Sequence, residues 1–127
     1  MVPKILVVDD EVDACEVVSN YLSRRGYSVI TAAGPNEALS KLLREKPALV
    51  LLDIHLPGMD GIECLRRIKK LDKEVLVIMV TCVTDIDIAK QALELGAIDY
   101  LTKPLNFSTL ETTISNYLYL RVLNEFN

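Results

Sequence analysis

Compact apolar runs alternate with stretches of helical periodicity along the whole chain, and this alternation limits the possible folds. The compact runs are rich in β-branched residues, are bounded by polar or turn residues, and cover residues 5–8, 28–31, 48–52, 75–80 and 100–102. Three of them are apolar throughout, which is typical of strands in a parallel sheet that is covered on both faces. We therefore predict one parallel sheet of five strands.

The stretches between these runs place apolar residues three or four apart, which indicates amphipathic helices. We predict helices over residues 12–25, 36–45, 62–71 and 86–95 and from residue 108 onward. Gly26 and Gly96 stand where a left-handed residue ends a helix, and residues 108–111 (STLE) match a capping box at the start of the last one. Right-handed crossovers place helices on both faces of the sheet. The predicted fold is α/β: a doubly wound (βα)5, flavodoxin-like three-layer sandwich with a five-stranded parallel sheet.

The length of 127 residues leaves room for a single domain. We expect residues 1–122 to form this domain and residues 123–127 to be a C-terminal tail or the start of a linker. The three cysteines, Cys15, Cys64 and Cys82, match neither a zinc ribbon nor a CxxC redox pair. We therefore expect them to be reduced, small core residues.

The charge balance argues against two classes of partner. Eighteen Asp and Glu against 14 Lys and Arg give a net charge of −4, so the chain lacks the positive field that draws proteins to nucleic acid or anionic lipid. No apolar stretch approaches the roughly 18 residues of a membrane span, and the start of the chain has no secretory h-region. We expect a cytoplasmic protein that binds neither nucleic acid nor membrane directly.

Polar side chains stand where four of the predicted strands end. Asp9 and Asp10 follow the first strand, Asp53 the third, Thr81 the fourth and Lys103 the fifth. Ligands of doubly wound sheets bind at the carboxyl ends of the strands, so we expect these side chains to form one site. Crowded carboxylates repel one another unless a cation neutralises them, and hard oxygen ligands favour Mg²⁺ or Mn²⁺ over zinc.

A phosphoryl group fits this site, because protein-bound Mg²⁺ usually combines one or two carboxylates with a phosphate. Asp53 is the candidate nucleophile, since a carboxylate can attack phosphorus, form an acyl phosphate and release it to water. Lys103 would supply an ammonium and Thr81 a hydroxyl donor to the phosphoryl oxygens. Each residue alone also fits a plainer role, as a helix cap, a turn, a strand end or a surface lysine. Their coincidence on four strand ends favours the phosphoryl site.

Three segments resemble the receiver domain of two-component response regulators: residues 7–11 (VVDDE), 53–61 (DIHLPGMDG) and 95–104 (LGAIDYLTKP). The resemblance runs from Ile5 to about Tyr119. It implies that Asp53 accepts a phosphoryl group from a sensor histidine kinase, a histidine phosphotransfer protein or a small acyl phosphate. It also implies a phosphorylation-dependent signalling switch, which catalyses its own phosphorylation and dephosphorylation but is not a metabolic enzyme.

The resemblance also assigns the metal ligands. It implies that Asp10 and Asp53 bind Mg²⁺ directly, that Asp9 acts largely through water, and that the main-chain carbonyl of His55 completes the metal site. The His55 side chain is not expected to be a ligand. It would point towards the mouth of the site, where it could tune dephosphorylation.

Two short features follow from the resemblance, and one residue departs from it. Pro57-Gly58 resembles the family's tight turn after the acceptor, and Lys103-Pro104 resembles its cis peptide, which would aim the lysine inward. Cys82 occupies a position where the family usually carries Ala or Gly. Its thiol either narrows access to the acyl phosphate or is a small buried residue.

Thr81 and Tyr100 carry the switch that the resemblance implies. Thr81 would move towards the phosphoryl group, and Tyr100 would turn inward to fill the vacated space; the alternative is a static aromatic on an edge strand. The surface that changes would be the fourth helix, fifth strand and fifth helix, with exposed candidates Lys90, Glu94, Asp99, Glu111 and Arg121. This surface would control a downstream effector protein or a fused output domain, and a homodimer on phosphorylation is left open.

Three other functions fit parts of the pattern. A haloacid-dehalogenase-like phosphatase also uses an Asp nucleophile with Mg²⁺, but it needs a second acid two residues later, where this chain has His55. A flavodoxin-like FMN binder needs a phosphate loop after the first strand, where the acids of residues 9–11 would repel a phosphate. An interaction module that works without phosphorylation should have lost Asp53, Thr81 or Lys103, and the chain keeps all three.

Overall fold

A computed structural model describes residues 2–56 and 58–125, and it places five strands in one sheet. The predicted turn at Pro57-Gly58 therefore lies partly outside the described residues. The strands are β1 Lys4–Val8, β2 Ser28–Ala32, β3 Leu49–Asp53, β4 Leu76–Thr81 and β5 Asp99–Thr102. The helices are α1 Val12–Arg24, α2 Pro35–Glu45, α3 Gly61–Leu71, α4 Ile86–Glu94 and α5 Phe107–Glu125, with a 3-10 turn, Val83–Asp85, before α4.

All neighbouring strands run parallel, in the order β2-β1-β3-β4-β5. The strand order reverses at β1, because the chain moves from β1 to β2 on one side and returns to β3 on the other. Loops leaving β1 and β3 diverge at this point and open a crevice at the carboxyl ends. The predicted fold class, a doubly wound (βα)5 sandwich, is confirmed.

The apolar strands bury both of their faces, as expected for a covered parallel sheet. Ile5 and Val7 of β1 face the layer of α1 and α5, whereas Leu6 and Val8 face the layer of α2, α3 and α4. All four are buried. Burial of apolar surface on the two sides of the sheet is the main source of stability, and it fixes the position of each strand end.

The helix ends follow the sequence in two places and depart from it in one. Gly26 and Gly96 follow α1 and α4 with φ of +96° and +112°, as predicted. The prediction of a capping box at residues 108–111 was wrong. The helix α5 begins at Phe107, and Asn106 Oδ1 accepts a hydrogen bond from the amide of Thr109 at 2.9 Å. Asn is favoured at the N-cap of a helix about as strongly as Ser, so Asn106 caps α5 and the helix begins before Ser108.

The last helix, α5, is 19 residues long and continues past residue 122, the predicted end of the domain. Its carboxyl-terminal turns carry exposed apolar side chains at Tyr119, Leu120, Val122 and Leu123. No helix within residues 2–56 and 58–125 is long and apolar enough to cross a membrane.

The cysteines divide between the core and the surface. Cys15 and Cys64 are buried, as predicted, but Cys82 is exposed. The prediction of a core Cys82 was wrong because β4 ends at Thr81 and the chain then leaves the layers of the sandwich for the 3-10 turn.

Candidate functional site

Three carboxylates meet at the carboxyl ends of β1 and β3. The two strands are adjacent and in register, with Val8 opposite Leu52, so the residues that follow, Asp9 and Asp53, lie side by side. Asp9, Asp10 and Asp53 each place one carboxylate oxygen within 4.8 Å of the others. Asp53 is buried, Asp9 is partly buried and Asp10 is exposed. The site is therefore open on the side of Asp10.

Both oxygens of the Asp53 carboxylate are held by the protein. Oδ1 accepts from the main-chain amide of His55 at 3.0 Å, and Oδ2 accepts from Lys103 Nζ at 2.7 Å. The same ammonium lies 3.8 Å from Asp9 Oδ2, and the amide of Glu11 donates to Asp9 Oδ1 at 2.9 Å. These contacts orient the carboxylates of Asp9 and Asp53 and hold the Lys103 ammonium beside both of them.

Electrostatics at this edge favour positive charge. Burial raises the pKa of the Asp9 carboxyl, and the charges of Asp53 and Glu11 add to the rise against the Glu11 amide and Lys103, which lower it. Burial alone lowers the pKa of Lys103, but its hydrogen bond to Asp53 and the charges of Asp53, Asp9 and Glu11 outweigh burial, and the net pKa is raised. The lysine is therefore held as an ammonium.

Lys103 reaches the site from the end of β5. The Lys103-Pro104 peptide bond is cis, and the main-chain amide of Lys103 donates to the carbonyl of Thr81 at 2.7 Å. Thr81 is the last residue of β4 and is buried, with a side chain whose Oγ1 donates to the carbonyl of Cys82 at 3.1 Å. The strands β4 and β5 thus place the Thr81 hydroxyl and the Lys103 ammonium at the same edge of the sheet.

The loop after β3 is fixed by a close packing of backbone against backbone. The amide of Gly61 donates to the carbonyl of Ile54 at 2.7 Å, and a Cβ at Gly61 would lie 2.6 Å from Ile54 Cα. Asp60 caps α3 by accepting from the amide of Glu63 at 2.8 Å. The start of α3 therefore sits against the residue that follows the acceptor, and no side chain fits between them.

Tyr100 lies in β5 opposite Met79 and is partly buried against the layer of α2, α3 and α4. The proposed output surface needs a correction. Lys90 and Glu94 are exposed, but Asp99, Glu111 and Arg121 are only partly exposed. Their side chains are bonded within the fold: Asp99 to Tyr117, Glu111 to Tyr21 and Arg25, and Arg121 to the carbonyl of Ala48.

One contact near the site is not visible in the sequence. His55 Nε2 lies 2.8 Å from Asp85 Oδ2, although the two residues are 30 apart in the chain. Asp85 directly precedes α4. Its contact with His55 could not be predicted from the sequence, because neither periodicity nor a motif connects Asp85 with the loop after β3. The His55 side chain is exposed, and its position at the mouth of the site stays a prediction.

The donor set fits a hard divalent cation. Three carboxylates converge without a thiolate or a second imidazole, which is the chemistry that Mg²⁺ or Mn²⁺ prefers. Burial is the main reason that the pKa of Asp9 is raised, and the nearby charges of Asp53 and Glu11 add to the rise, so a cation bound here would favour the ionised carboxylate. The main-chain carbonyl of His55 as a further ligand stays a prediction.

Comparison with known proteins identifies the family. A family model described as "Response regulator receiver domain" matches residues 5–115. Sporulation initiation phosphotransferase F of Bacillus subtilis is 36% identical over 118 residues, which cover 93% of this chain and 95% of that protein. Transcriptional regulatory protein ZraR of Klebsiella oxytoca is 40% identical over 121 residues, or 95% of this chain, but this is only 27% of that protein.

Solved structures agree with the sequence matches. A CheY-like response regulator receiver domain protein from Methanospirillum hungatei superposes with a TM-score of 0.93 at 33% identity. The superposition covers 98% of this chain and 99% of that one. Similarity therefore extends over the whole sandwich and includes every strand end that carries a site residue.

Proposed function

This chain belongs to the response regulator receiver domain family, and we propose that Asp53 is its phosphoacceptor in a two-component signalling system. The observation that carries the proposal is the contact of 2.7 Å between Lys103 Nζ and the buried Asp53 carboxylate, beside two further carboxylates. A buried nucleophile that is paired with an ammonium and lies beside potential metal ligands is suited to receive a phosphoryl group.

The reaction exchanges one bond for another at phosphorus. An Asp53 carboxylate oxygen attacks the phosphorus, its new O–P bond forms, and the P–N bond of a phosphohistidine or the P–O bond of a small acyl phosphate breaks. Lys103, which is paired with Asp53 before the reaction, then bonds a phosphoryl oxygen. Later attack by water on the acyl phosphate restores the carboxylate and releases phosphate. The protein catalyses only these steps on itself and turns over no metabolite.

Asp10, Asp53, the carbonyl of His55 and, through water, Asp9 are the groups that would hold Mg²⁺, with Mn²⁺ as a substitute. When bound, the cation neutralises the carboxylates and withdraws charge from the phosphoryl oxygens. The protein's own part is to place the carboxylates: the amide of Glu11 orients Asp9, and the amide of His55 orients Asp53.

Thr81 and Tyr100 carry the switch in this proposal. The Thr81 hydroxyl, now bonded to the carbonyl of Cys82, turns to the phosphoryl group, and Tyr100 moves into the space that it leaves. The phosphoryl group bonds Thr81 and Lys103 in one state only, so it shifts the population towards that state. The surface of α4, β5 and α5 then changes, and Lys90 and Glu94 are among its exposed charges.

A histidine kinase or histidine phosphotransfer protein is the proposed phosphodonor. Its phosphohistidine must reach Asp53, so the donor must cover the rim of the site. A groove of about 660 Å³ borders the site between α1 and the loop after β5, with Val17, Val18 and Leu105 in its lining. Val17 is 53% exposed, and an apolar rim of this kind is suited to a protein partner. Val17→Lys should slow transfer from a protein donor but leave acetyl phosphate unaffected.

The output partner is a downstream effector protein or a fused output domain, and a homodimer formed on phosphorylation is the third arrangement. The protein acts in the cytoplasm, where histidine kinases present their phosphohistidine. Its net charge of −4 gives this segment no attraction of its own for nucleic acid or membrane.

Intact-protein mass after incubation with acetyl phosphate and Mg²⁺ tests the proposal. We expect a single labile phosphoryl adduct that disappears in Asp53→Asn and after chelation of the metal. Asp87→Asn, which changes an exposed aspartate of α4, is the matched control and should still be labelled. A folded protein that takes no adduct from acetyl phosphate or from a kinase would contradict the proposal. Steady hydrolysis of small phosphate esters would instead indicate a phosphatase.

A further inference from the structure

The contact between His55 and Asp85 joins two loops that leave neighbouring strands. His55 lies in the loop after β3, and Asp85 ends the 3-10 turn between β4 and α4. Their side chains meet at 2.8 Å, and because an ionised carboxylate can only accept, the imidazole donates from Nε2. The Asp85 side chain is 18% exposed, against 66% for His55. The carboxylate is thus less exposed to solvent than the imidazole that it contacts.

Asp85 makes this contact in place of a local one. It occupies the N-cap position of α4, where an aspartate usually accepts a hydrogen bond from an amide of the first helical turn. Among the described residues, however, its carboxylate caps no amide of the helix. The side chain is therefore directed across to the neighbouring loop at the expense of the usual cap.

Both ends of the contact are connected to the phosphoryl site. On one side, the amide of His55 holds Oδ1 of Asp53. On the other, the carbonyl of Cys82 accepts from the amide of Asp85 at 3.0 Å and from Thr81 Oγ1 at 3.1 Å. Asp85, Cys82 and Thr81 thus form one bonded unit, and the Asp85 carboxylate ties this unit to the acceptor loop.

We propose that the His55–Asp85 contact is a strap that holds the β4–α4 loop in its unphosphorylated arrangement and so sets how readily phosphorylation switches the domain. The inference rests on the proposed function, since it assumes that Thr81 turns towards a phosphoryl group on Asp53. To do so, the Thr81 hydroxyl must leave the carbonyl that Asp85 also holds. Asp85 is then a positioning residue, which acts through Cys82 and Thr81 without touching the phosphoryl group.

Because the strap stabilises only the unphosphorylated arrangement, its loss favours any ligand that binds the switched one. Beryllium fluoride with Mg²⁺ is the probe, since it binds a carboxylate oxygen in place of a phosphoryl group and reaches a true equilibrium. We expect His55→Ala and Asp85→Ala each to bind it about three to ten times more tightly, the range for one lost hydrogen bond. The double variant should bind no more tightly than either single one, because the two share one contact.

Controls separate the strap from a change of charge. Asp87→Ala removes an equal charge from the exposed side of the same helical turn and should have a smaller effect than Asp85→Ala. Asp85→Asn keeps an acceptor for the imidazole and should stay closer to the wild type. Effects that add in the double variant, or an Asp87→Ala effect equal to that of Asp85→Ala, would overturn the strap.

A second measurement needs no phosphoryl group and keeps the two proposals apart. Hydrogen exchange of the amides of residues 81–88 in the metal-free protein should be faster in Asp85→Ala than in the wild type and in Asp87→Ala. Equal exchange in all three would overturn the strap. If beryllium fluoride bound no form of the protein, the proposed function would fail, and exchange alone would decide whether the loops are tied.

Discussion

At the amino edge of the sheet, where the strands begin, Lys and Arg side chains bind neutral main-chain carbonyls. At the carboxyl edge, where the strands end, carboxylates crowd around the ammonium of Lys103. Lys69 Nζ donates to the carbonyls of Lys73 and Val75 at 2.9 Å each, and Arg121 Nη1 donates to the carbonyl of Ala48 at 2.7 Å. These contacts tie down the segments that enter β3 and β4. The opposite edge holds three carboxylates within 4.8 Å of one another.

Burying a charged group costs free energy at both edges, but the interactions that offset this cost differ. It lowers the pKa of Lys69 and raises the pKa of Asp9, so each buried charge is disfavoured where it stands. At the amino edge the cost is offset by hydrogen bonds that hold loops in place. At the carboxyl edge the charges of Asp53 and Glu11 add to the effect of burial on Asp9, and in the proposed function a bound cation would offset this cost.

The largest effect should come from the backbone that supports the carboxyl edge. Gly61→Ala should lower the free energy of unfolding by about 3 kcal/mol or more, because its Cβ would lie 2.6 Å from Ile54 Cα, too close for a fit without movement of the loop. Urea denaturation measures the change. Gly34→Ala, where nothing lies within 4 Å of the added Cβ, is the control and should cost about 1 kcal/mol or less. Equal losses in the two variants would refute this account.

The next effect tests the amino edge. Lys69→Met should lower the free energy of unfolding by about 1 to 2 kcal/mol, because two main-chain carbonyls lose their donor. Phosphorylation of Asp53 by acetyl phosphate should keep its wild-type rate. Lys70→Met alters the exposed neighbour in the same helix and should leave both quantities unchanged. A slower phosphorylation in Lys69→Met would mean that the two edges are not independent.

A change of opposite sign is expected at the carboxyl edge. Asp10→Asn should raise the free energy of unfolding in metal-free buffer by about 0.5 to 1 kcal/mol, because it removes one of three mutually repelling charges. We also expect Mg²⁺ to raise the melting temperature of the wild type but not that of Asp10→Asn. Glu16→Gln, on the exposed side of α1, should behave like the wild type in both respects. A less stable metal-free Asp10→Asn would show that the cluster is not strained.

The smallest effect concerns the thiols. Cys82 should react with iodoacetamide at neutral pH, whereas burial raises the pKa of Cys64 to about 11 and also raises that of Cys15. Since the thiolate is the nucleophile, labelling should quicken as the pH rises. Cys82→Ala should leave only slow labelling of the folded protein, read by mass. Fast labelling of this variant would place a second thiol at the surface.

Much of the site was predictable because strand ends are local features. Asp9, Asp53, Thr81 and Lys103 each stand at the end of an apolar run, and parallel strands bring such ends to one edge. The cap of α5 and the exposure of Cys82 were not predictable in this way. Both depend on where the chain leaves a layer of the sandwich, which the residues around Asn106 and Cys82 do not specify by themselves.

The sequence by itself determined the helices and strands and the two covered faces of the sheet, because the spacing of apolar residues depends on which side chains are buried. It also determined the edge at which the charged groups meet, because these groups stand at the ends of the apolar runs. Only the tertiary structure decided which side chains pair across loops. His55 meets Asp85 over 30 residues, and Tyr21 meets Glu111 over 90. Such contacts depend on the paths of loops that the packed layers hold in place, and no local pattern in the chain encodes them.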